Sequence, residues 1–241
     1  MTKPGVALPP NDLRHYIVRF PHAPAGFRLR RASRMMRGLS PHDPSEEALV
    51  SDARILVILG SVTPPGRMHR AVHGSAQRAT GAGFGTVEVL DLADVRLGFA
   101  GAPPIEGDEL PSVIERVRAA DAVIFASPVY RGSFSGVLKN LLDVLPIDTL
   151  EGKPAGLVAM GNTRDHALGV ERHLRDVLAW FGMLPAPTSV FFSAADFEAG
   201  VLQPNPSADL DTLVVVVAQL VDATRGMGRA FPLRPAATRE E

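Results

Sequence analysis

The chain has 241 residues, 46% of them hydrophobic, and a formal net charge of −1 at pH 7; that length supports one domain with a full core, and that charge argues against a generic nucleic-acid binder. No apolar run approaches the roughly 20 residues that span a bilayer. Cysteine is absent, which excludes disulfides, thiolate catalysis and cysteine metal sites, so redox chemistry would have to come from a bound cofactor.

Residues 1–50 differ from the rest. They are rich in Pro, Arg and His, with no acid between Arg14 and Arg37. Phe27, Leu29, Met35, Met36 and Leu39 outline a weak basic amphipathic helix, on a composition that otherwise reads as a loosely ordered extension. A partner-binding or subunit-covering arm is the alternative. Arg30-Arg31-Ala32-Ser33 matches a basophilic kinase pattern, which is short enough to recur by chance. No apolar segment follows Arg30-Arg31, so a secretory or twin-arginine leader is not expected and a cytoplasmic location is.

From Arg54 onward strand-like and helix-like segments alternate. Ile55–Leu59 is a continuous apolar run, as in a strand buried on both faces. A loop from Gly60 to Gly66 precedes a helix from about Met68 to Ala79. Thr86–Leu90 reads as a second strand, and the Gly- and Pro-rich stretch from Val95 to Gly107 as loop. Pro111 suits the first turn of a helix running to about Ala119. Ala122–Ala126 is a third strand, followed by the helical apolar face of Val137, Leu138, Leu141, Leu142 and Leu145. Ala155–Met160 is a fourth strand, Asp165–Phe181 a helix ending before Gly182, and Thr188–Phe192 a fifth strand. Leu210–Ala223 is the last helix, although Leu213–Val217 is β-branched enough to mislead. Five strands separated by helices predict an α/β fold with a parallel doubly wound sheet. The count favours the flavodoxin-like order 2-1-3-4-5 over a six-stranded dinucleotide fold. The domains expected are the extension 1–50, the α/β domain 51–226 and a tail 227–241.

Three loops at strand carboxyl ends could carry chemistry, since open α/β sheets bind ligands there. Gly60-Ser61-Val62-Thr63-Pro64-Pro65-Gly66-Arg67 opens a helix, whose free N–H groups attract phosphate. Ser61 and Thr63 add hydroxyls, and Arg67, His69 or Arg70 add charge. The loop has neither the Walker lysine pattern nor G-x-G-x-x-G spacing, which suggests a mononucleotide such as FMN, an ordinary strand–helix turn being the other reading. Ser127-Pro128-Val129-Tyr130-Arg131-Gly132 offers an aromatic face flanked by Pro and Gly, with backbone N–H groups, as a planar polar-edged ring such as a flavin requires. Gly161-Asn162-Thr163-Arg164-Asp165-His166 follows the fourth strand. His166 could touch a ligand or be an ordinary early-helix residue. His173 lies seven residues on, but no carboxylate-rich or cysteine setting supports a metal site. Trp180 and Phe181 read as core. Ser127 and Ser135 lack the nucleophile-elbow glycines, so no catalytic side chain is expected.

On these residues the chain from about 54 to 225 resembles the NAD(P)H-dependent FMN reductases of the flavodoxin-like superfamily. It looks closest to the branch that supplies reduced flavin to alkanesulfonate-type monooxygenases. The strand followed by Gly60-Ser61, the Ser127-Pro128-Val129-Tyr130 loop with Ser135-Gly136-Val137-Leu138-Lys139-Asn140, and Gly161 with downstream His166 carry the resemblance. It implies a three-layer sandwich with helices on both faces of the sheet. It implies that Ser61 and the backbone of Gly66, Arg67 and Met68 hold the FMN phosphate, to which the loop's own chemistry adds the Thr63 hydroxyl and the Arg67 charge. Pro128, Val129, Tyr130 and Arg131 would line the isoalloxazine, Gly132 would allow close backbone approach, and Gly161 and Asn162 would close over its polar edge. The family usually has Arg where Thr63 stands and Ser where Gly66 stands, with further Ser near Met68–Arg70, and often Gly-Gly where Gly161-Asn162 stands.

The activity implied is hydride transfer from NADPH or NADH to FMN, with the protein supplying stacking, orientation and electrostatics. The rival readings are an FMN-containing quinone, azo or nitro reductase and a non-catalytic flavodoxin-like module. Arg67, Arg70 and Arg164 are candidates for an adenosine 2′-phosphate. The partners expected are the flavin, the nicotinamide and a flavin-dependent monooxygenase, with neither nucleic acid nor a membrane span. A homodimer or tetramer is also expected, with apolar residues around Phe99, Phe191 and Phe192 at its interface.

Overall fold

The computed structural model describes residues 51–61 and 65–225. The expected extension, the tail and Thr63 lie outside the described residues. In chain order the elements are β1 (Ser51–Leu59), α1 (Arg67–Gly81), β2 (Phe84–Asp91), α2 (Leu110–Ala119), β3 (Ala122–Pro128), α3 (Gly136–Val144), β4 (Pro154–Met160), α4 (Ala167–Trp180), β5 (Leu184–Pro185), β6 (Val190–Phe192), β7 (Phe197–Glu198), β8 (Val201–Leu202) and α5 (Pro204–Arg225).

The sheet runs β2-β1-β3-β4-β5, with β6 also paired to β4, and every pairing in it is parallel. This is the expected order 2-1-3-4-5, with its fifth position filled by two short pieces. Pro185 and Pro187 explain the interruption, because proline cannot donate to a ladder. Alternation along β1 assigns the two faces. Leu56 and Ile58 pack with Val113, Val117, Leu138, Leu141, Leu174 and Leu178, from α2, α3 and α4. Ile55, Val57 and Leu59 pack with Met68, Val72, Leu210, Leu213, Val214 and Val217, from α1 and α5. The result is a three-layer α/β sandwich.

Leu213–Val217 is helical despite its β-branched run, because Leu213, Val214, Val217, Ala218 and Val221 all bury against the sheet. Burial of that stripe outweighs a propensity difference of a few tenths of a kcal/mol per residue. The helix also starts earlier than its periodicity indicates, with prolines at 204 and 206 in the first turn, where no N–H is needed.

Two further readings are corrected. Trp180 is 55% exposed at the end of α4 and only Phe181 is core. Phe192 is fully buried and Phe191 packs against the core, which leaves Phe99, at 70% exposure, as the surface aromatic of that trio. The antiparallel β7–β8 hairpin was not expected from the sequence.

Candidate functional site

β1 delivers its loop directly above the sheet. The Gly60 N–H continues the ladder onto Ala126 O at 2.7 Å. A β-carbon on Gly60 would lie 2.8 Å from Leu138 Cβ and 3.1 Å from Ser135 Oγ, so glycine is what lets β1 approach α3. Helix α1 begins without a side-chain cap and without an acid in its first turn. The Arg70 N–H bonds to Gly66 O at 3.1 Å, which puts the amides of Arg67, Met68 and His69 outside the intrahelical ladder, at the positive end of the helix. Met68 turns its side chain into the core and offers the site only its backbone.

After β3 the chain makes a tight turn. Tyr130 N–H donates to Ser133 O at 2.9 Å and Ser133 N–H to Tyr130 O at 3.1 Å. Arg131 and Gly132 between them have φ of 53° and 76°, the signature of a type I′ turn. The turn is fixed on three sides. Val129 N–H reaches Met160 O on β4 at 2.8 Å. The buried Ser127 hydroxyl donates to Pro128 O and accepts from Ser135 N–H, both at 2.9 Å, while Ser135 caps α3 through Leu138 N–H. From α4, His173 Nδ1 meets Ser133 Oγ at 3.0 Å, and Gly169 lies so close that its β-carbon would be 2.6 Å from Gly132 O. Thus His173 braces this turn, while His166 Nδ1 pairs locally with Thr163 Oγ1 at 3.2 Å.

The loop after β4 is shaped by packing. Gly161 is buried, and a β-carbon there would lie 2.9 Å from Phe191 Cζ and 3.1 Å from His166 Cβ. Asn162 is exposed, and its carbonyl accepts Ala194 N–H at 3.2 Å. Arg164 donates to Asp196 Oδ1 at 2.7 Å. Burial pushes the Asp196 carboxyl up. The Ser193 N–H and hydroxyl, together with Arg164, outweigh it and hold the group below the ordinary carboxylate range.

These loops enclose one cleft of about 310 Å³, at the lower end of the roughly 300–1,000 Å³ of small-molecule sites. Nine of the expected residues line it: Ser61, Gly66, Arg67, Met68, Pro128, Val129, Tyr130, Gly161 and Asn162. Arg131 and Gly132 stand at the tip of the turn, outside that lining. Leu59, His69, Asp91 and Met160 also line the cleft; His69 appears in the sequence reading only as a possible charge, and the other three not at all. Asp91 ends β2 beside β1, and the carboxyl-end rule was the available signal for it.

Asp91 gives the cleft a local acid–imidazole pair. His69 Nε2 lies 3.7 Å from Asp91 Oδ2, and the His69 ring lies 4.2 Å from that of His73. His69 Nδ1 and His73 Nε2 are buried with no hydrogen-bond partner among the described residues. Desolvation first, and His69 second, push the His73 imidazole below its ordinary value of 6.5, against the pull of Asp91 and Asp94. The unfolded chain therefore takes up a proton that the folded chain resists. Stability on this account is full above 6.5 and falls as pH drops through the lowered folded value. We expect the urea midpoint of the wild type to fall from pH 7 to pH 5 by more than that of His73→Gln; equal falls would contradict this.

A protein-family model for NADPH-dependent FMN reductases matches residues 53–198. An FMN reductase (NADPH) of Pseudomonas aeruginosa is 38% identical over 112 residues, covering 46% of this chain and 60% of that protein. A protein named NADH-dependent FMN reductase SfnF, from Pseudomonas fluorescens, is 34% identical over 113 residues, covering 45% of this chain and 59% of that protein. The match thus spans about six-tenths of the length of these relatives. Among solved structures, an apo NADH:FMN oxidoreductase (EmoB) superposes with a TM-score of 0.64 at 21% identity, covering 78% of this chain and all of that one, a likeness of fold. No helix among the described residues is long and apolar enough to cross a membrane.

Proposed function

The chain belongs to the NADPH-dependent FMN reductase family, and from that premise we propose that it is an NAD(P)H:FMN oxidoreductase, a flavin reductase. The observation that carries this reading is the convergence of nine expected residues, from the loops after β1, β3 and β4, on a single cleft. The donor set suits the group. The Arg67, Met68 and His69 amides at the start of α1, with the Arg67 guanidinium, suit a phosphate monoester. Leu59, Pro128, Val129, Tyr130 and Met160 give apolar walls for a flat ring. Bound FMN would supply the redox chemistry, accepting a hydride from the nicotinamide at N5.

The protein's own part is binding and orientation. The I′ turn holds Tyr130, 46% exposed, as a face on which a ring can stack while its outer side stays open to a second planar ring. Fixing two rings together supplies rate through proximity, and no side chain is needed as a general base. Tyr130→Ala is expected to weaken FMN binding about 2- to 12-fold, through loss of an aromatic contact of ~0.5–1.5 kcal/mol. Unchanged affinity in a fluorescence titration would remove Tyr130 from the site.

The flavin-binding domain on this reading is residues 51–226. A cytoplasmic setting goes with this reading, and exposed Phe99 supports a homodimer or tetramer. The SfnF resemblance supports delivery of reduced flavin to a partner monooxygenase. The deciding experiment adds NADPH, then NADH, without oxygen to the protein titrated with FMN. Bleaching of the flavin absorbance at catalytic rates supports the reductase. Binding without bleaching, or no binding, favours a non-catalytic module. The fraction of FMN retained through gel filtration then separates a prosthetic group from a released product, and retention with ping-pong kinetics towards a quinone favours the quinone, azo or nitro reductase.

A further inference from the structure

The first turn of α1 carries three basic side chains, and two of them are committed elsewhere. His69 faces Asp91, and Arg70 donates to Gly200 O at 3.2 Å. Arg67 lines the cleft and forms no ion pair with a carboxylate among the described residues. Its guanidinium carbon instead lies 5.4 Å from the centroid of the Phe197 ring, within cation–π range. Phe197 is itself held firmly. It opens the β7–β8 hairpin opposite Leu202 and meets the fully buried Phe192 edge-on, centroids 6.0 Å apart at 80°. The hairpin tip is tied to α1 by the Arg70–Gly200 bond.

A free arginine samples many rotamers and loses that freedom when it grips an anion. An arginine already laid on an aromatic face has paid part of that cost. The Phe192–Phe197–Arg67 stack therefore presets a cation beside the uncapped amides of α1. Resting on the flavin reading above, we infer that Phe197 is a positioning residue: by holding Arg67 at the start of α1, it sets the preference of this cleft for a phosphorylated flavin over riboflavin.

The test measures the dissociation constants of FMN and riboflavin by flavin fluorescence quenching, on the full chain. The variants are Phe197→Leu, Phe197→Tyr, Arg67→Met and the Arg67→Met/Phe197→Leu pair. Phe197→Leu is expected to weaken FMN about 3- to 10-fold, the range of a partly desolvated cation–π contact, and to leave riboflavin unchanged. Phe197→Tyr restores the wild-type ratio. Arg67→Met weakens FMN at least as much, and adding Phe197→Leu to it costs nothing further, since the pair acts through one contact. Riboflavin binding reports that each variant still folds around the cleft. The proposal is overturned if Phe197→Leu leaves FMN unchanged, if it weakens both flavins equally, or if its effect persists in the Arg67→Met background. Failure of the wild type to bind either flavin overturns the flavin reading itself, and this proposal with it.

Discussion

Gly169→Ala is expected to weaken FMN binding by at least about tenfold while the chain keeps its helices and its fold. By propensity alone the change should help, since alanine in a helix is favoured over glycine by ~1 kcal/mol. The contact decides otherwise. The new β-carbon would lie 2.6 Å from Gly132 O, 3.2 Å from its carbonyl carbon and 3.5 Å from its Cα. All three are backbone atoms of the I′ turn, whose two cross-bonds leave it little room to yield locally. The turn or the first turn of α4 must move as a body, stretching the 3.0 Å His173–Ser133 bond and carrying Val129 and Tyr130 with it. Displacement of such positioning groups by ~1 Å can cost on the order of a hundredfold in reaction rate, and a tilted Tyr130 face also loses part of its ~0.5–1.5 kcal/mol stacking contact with the ring. Far-UV circular dichroism and an FMN titration check both halves. An affinity within twofold of wild type would show that the turn accommodates the methyl group and that α4 does not set the cleft's geometry.

The contrast between Gly169 and the three loops shows what the sequence exposes. Ile55–Leu59 and Ala122–Ala126 announce themselves as strands because a strand covered on both faces is apolar throughout. The loops following β1, β3 and β4 then fall at carboxyl ends by necessity. That suffices to assemble nine lining residues. The order 2-1-3-4-5 already puts the carboxyl end of β2 beside the β1 loop, but the Thr86–Leu90 pattern stops one residue short of Asp91, which ends the strand opposite Leu59. The β7–β8 hairpin was missed because its turn, Ala199-Gly200 with φ of 49° and 80°, puts alanine where Asn or Asp usually advertises a I′ turn. Its strands are also only two residues long, too short for periodicity. The split fifth strand has the same origin, since the Leu184–Pro185 piece is recognised by its partner on β4 alone. Spacing shows only the helix face on which His173 lies, which is what raises the question of a metal ligand. Only the fold shows that Ser133 is opposite.

Gly85→Ala should be the most damaging single-methyl change for the fold, lowering stability by about 3 kcal/mol or more, the range of backbone strain plus a forced clash. Gly85 has φ of +101°, and a β-carbon there would lie 2.3 Å from Ala53 O. That distance is inside any van der Waals contact, and its partner is a β1 backbone atom, so neither rotamer change nor side-chain flexing relieves it. The position has a structural cause. Between Ser51 and Arg54 the β1–β2 register slips, with Ser51 opposite Phe84 but Arg54 opposite Thr86, so β1 carries an extra residue across from Gly85. A bulge bends its strand and brings the backbones together, and glycine is the residue that fits the gap. For a domain of this size the loss corresponds to a drop in Tm of roughly 6–12 °C. The cleft lies at the opposite end of the ladder, where Leu59 pairs with Asp91, so the folded fraction of Gly85→Ala should bind FMN within about threefold of wild type, since distant sites act independently. The two glycines thus separate the roles of the two regions: Gly169→Ala strains the turn that shapes the cleft and so lowers affinity along with some stability, whereas Gly85→Ala lowers stability without affinity. A thermal melt of Gly85→Ala within 2 °C of wild type would mean that β1 and β2 part freely at this edge, and that the bulge does not anchor the sheet beneath the site.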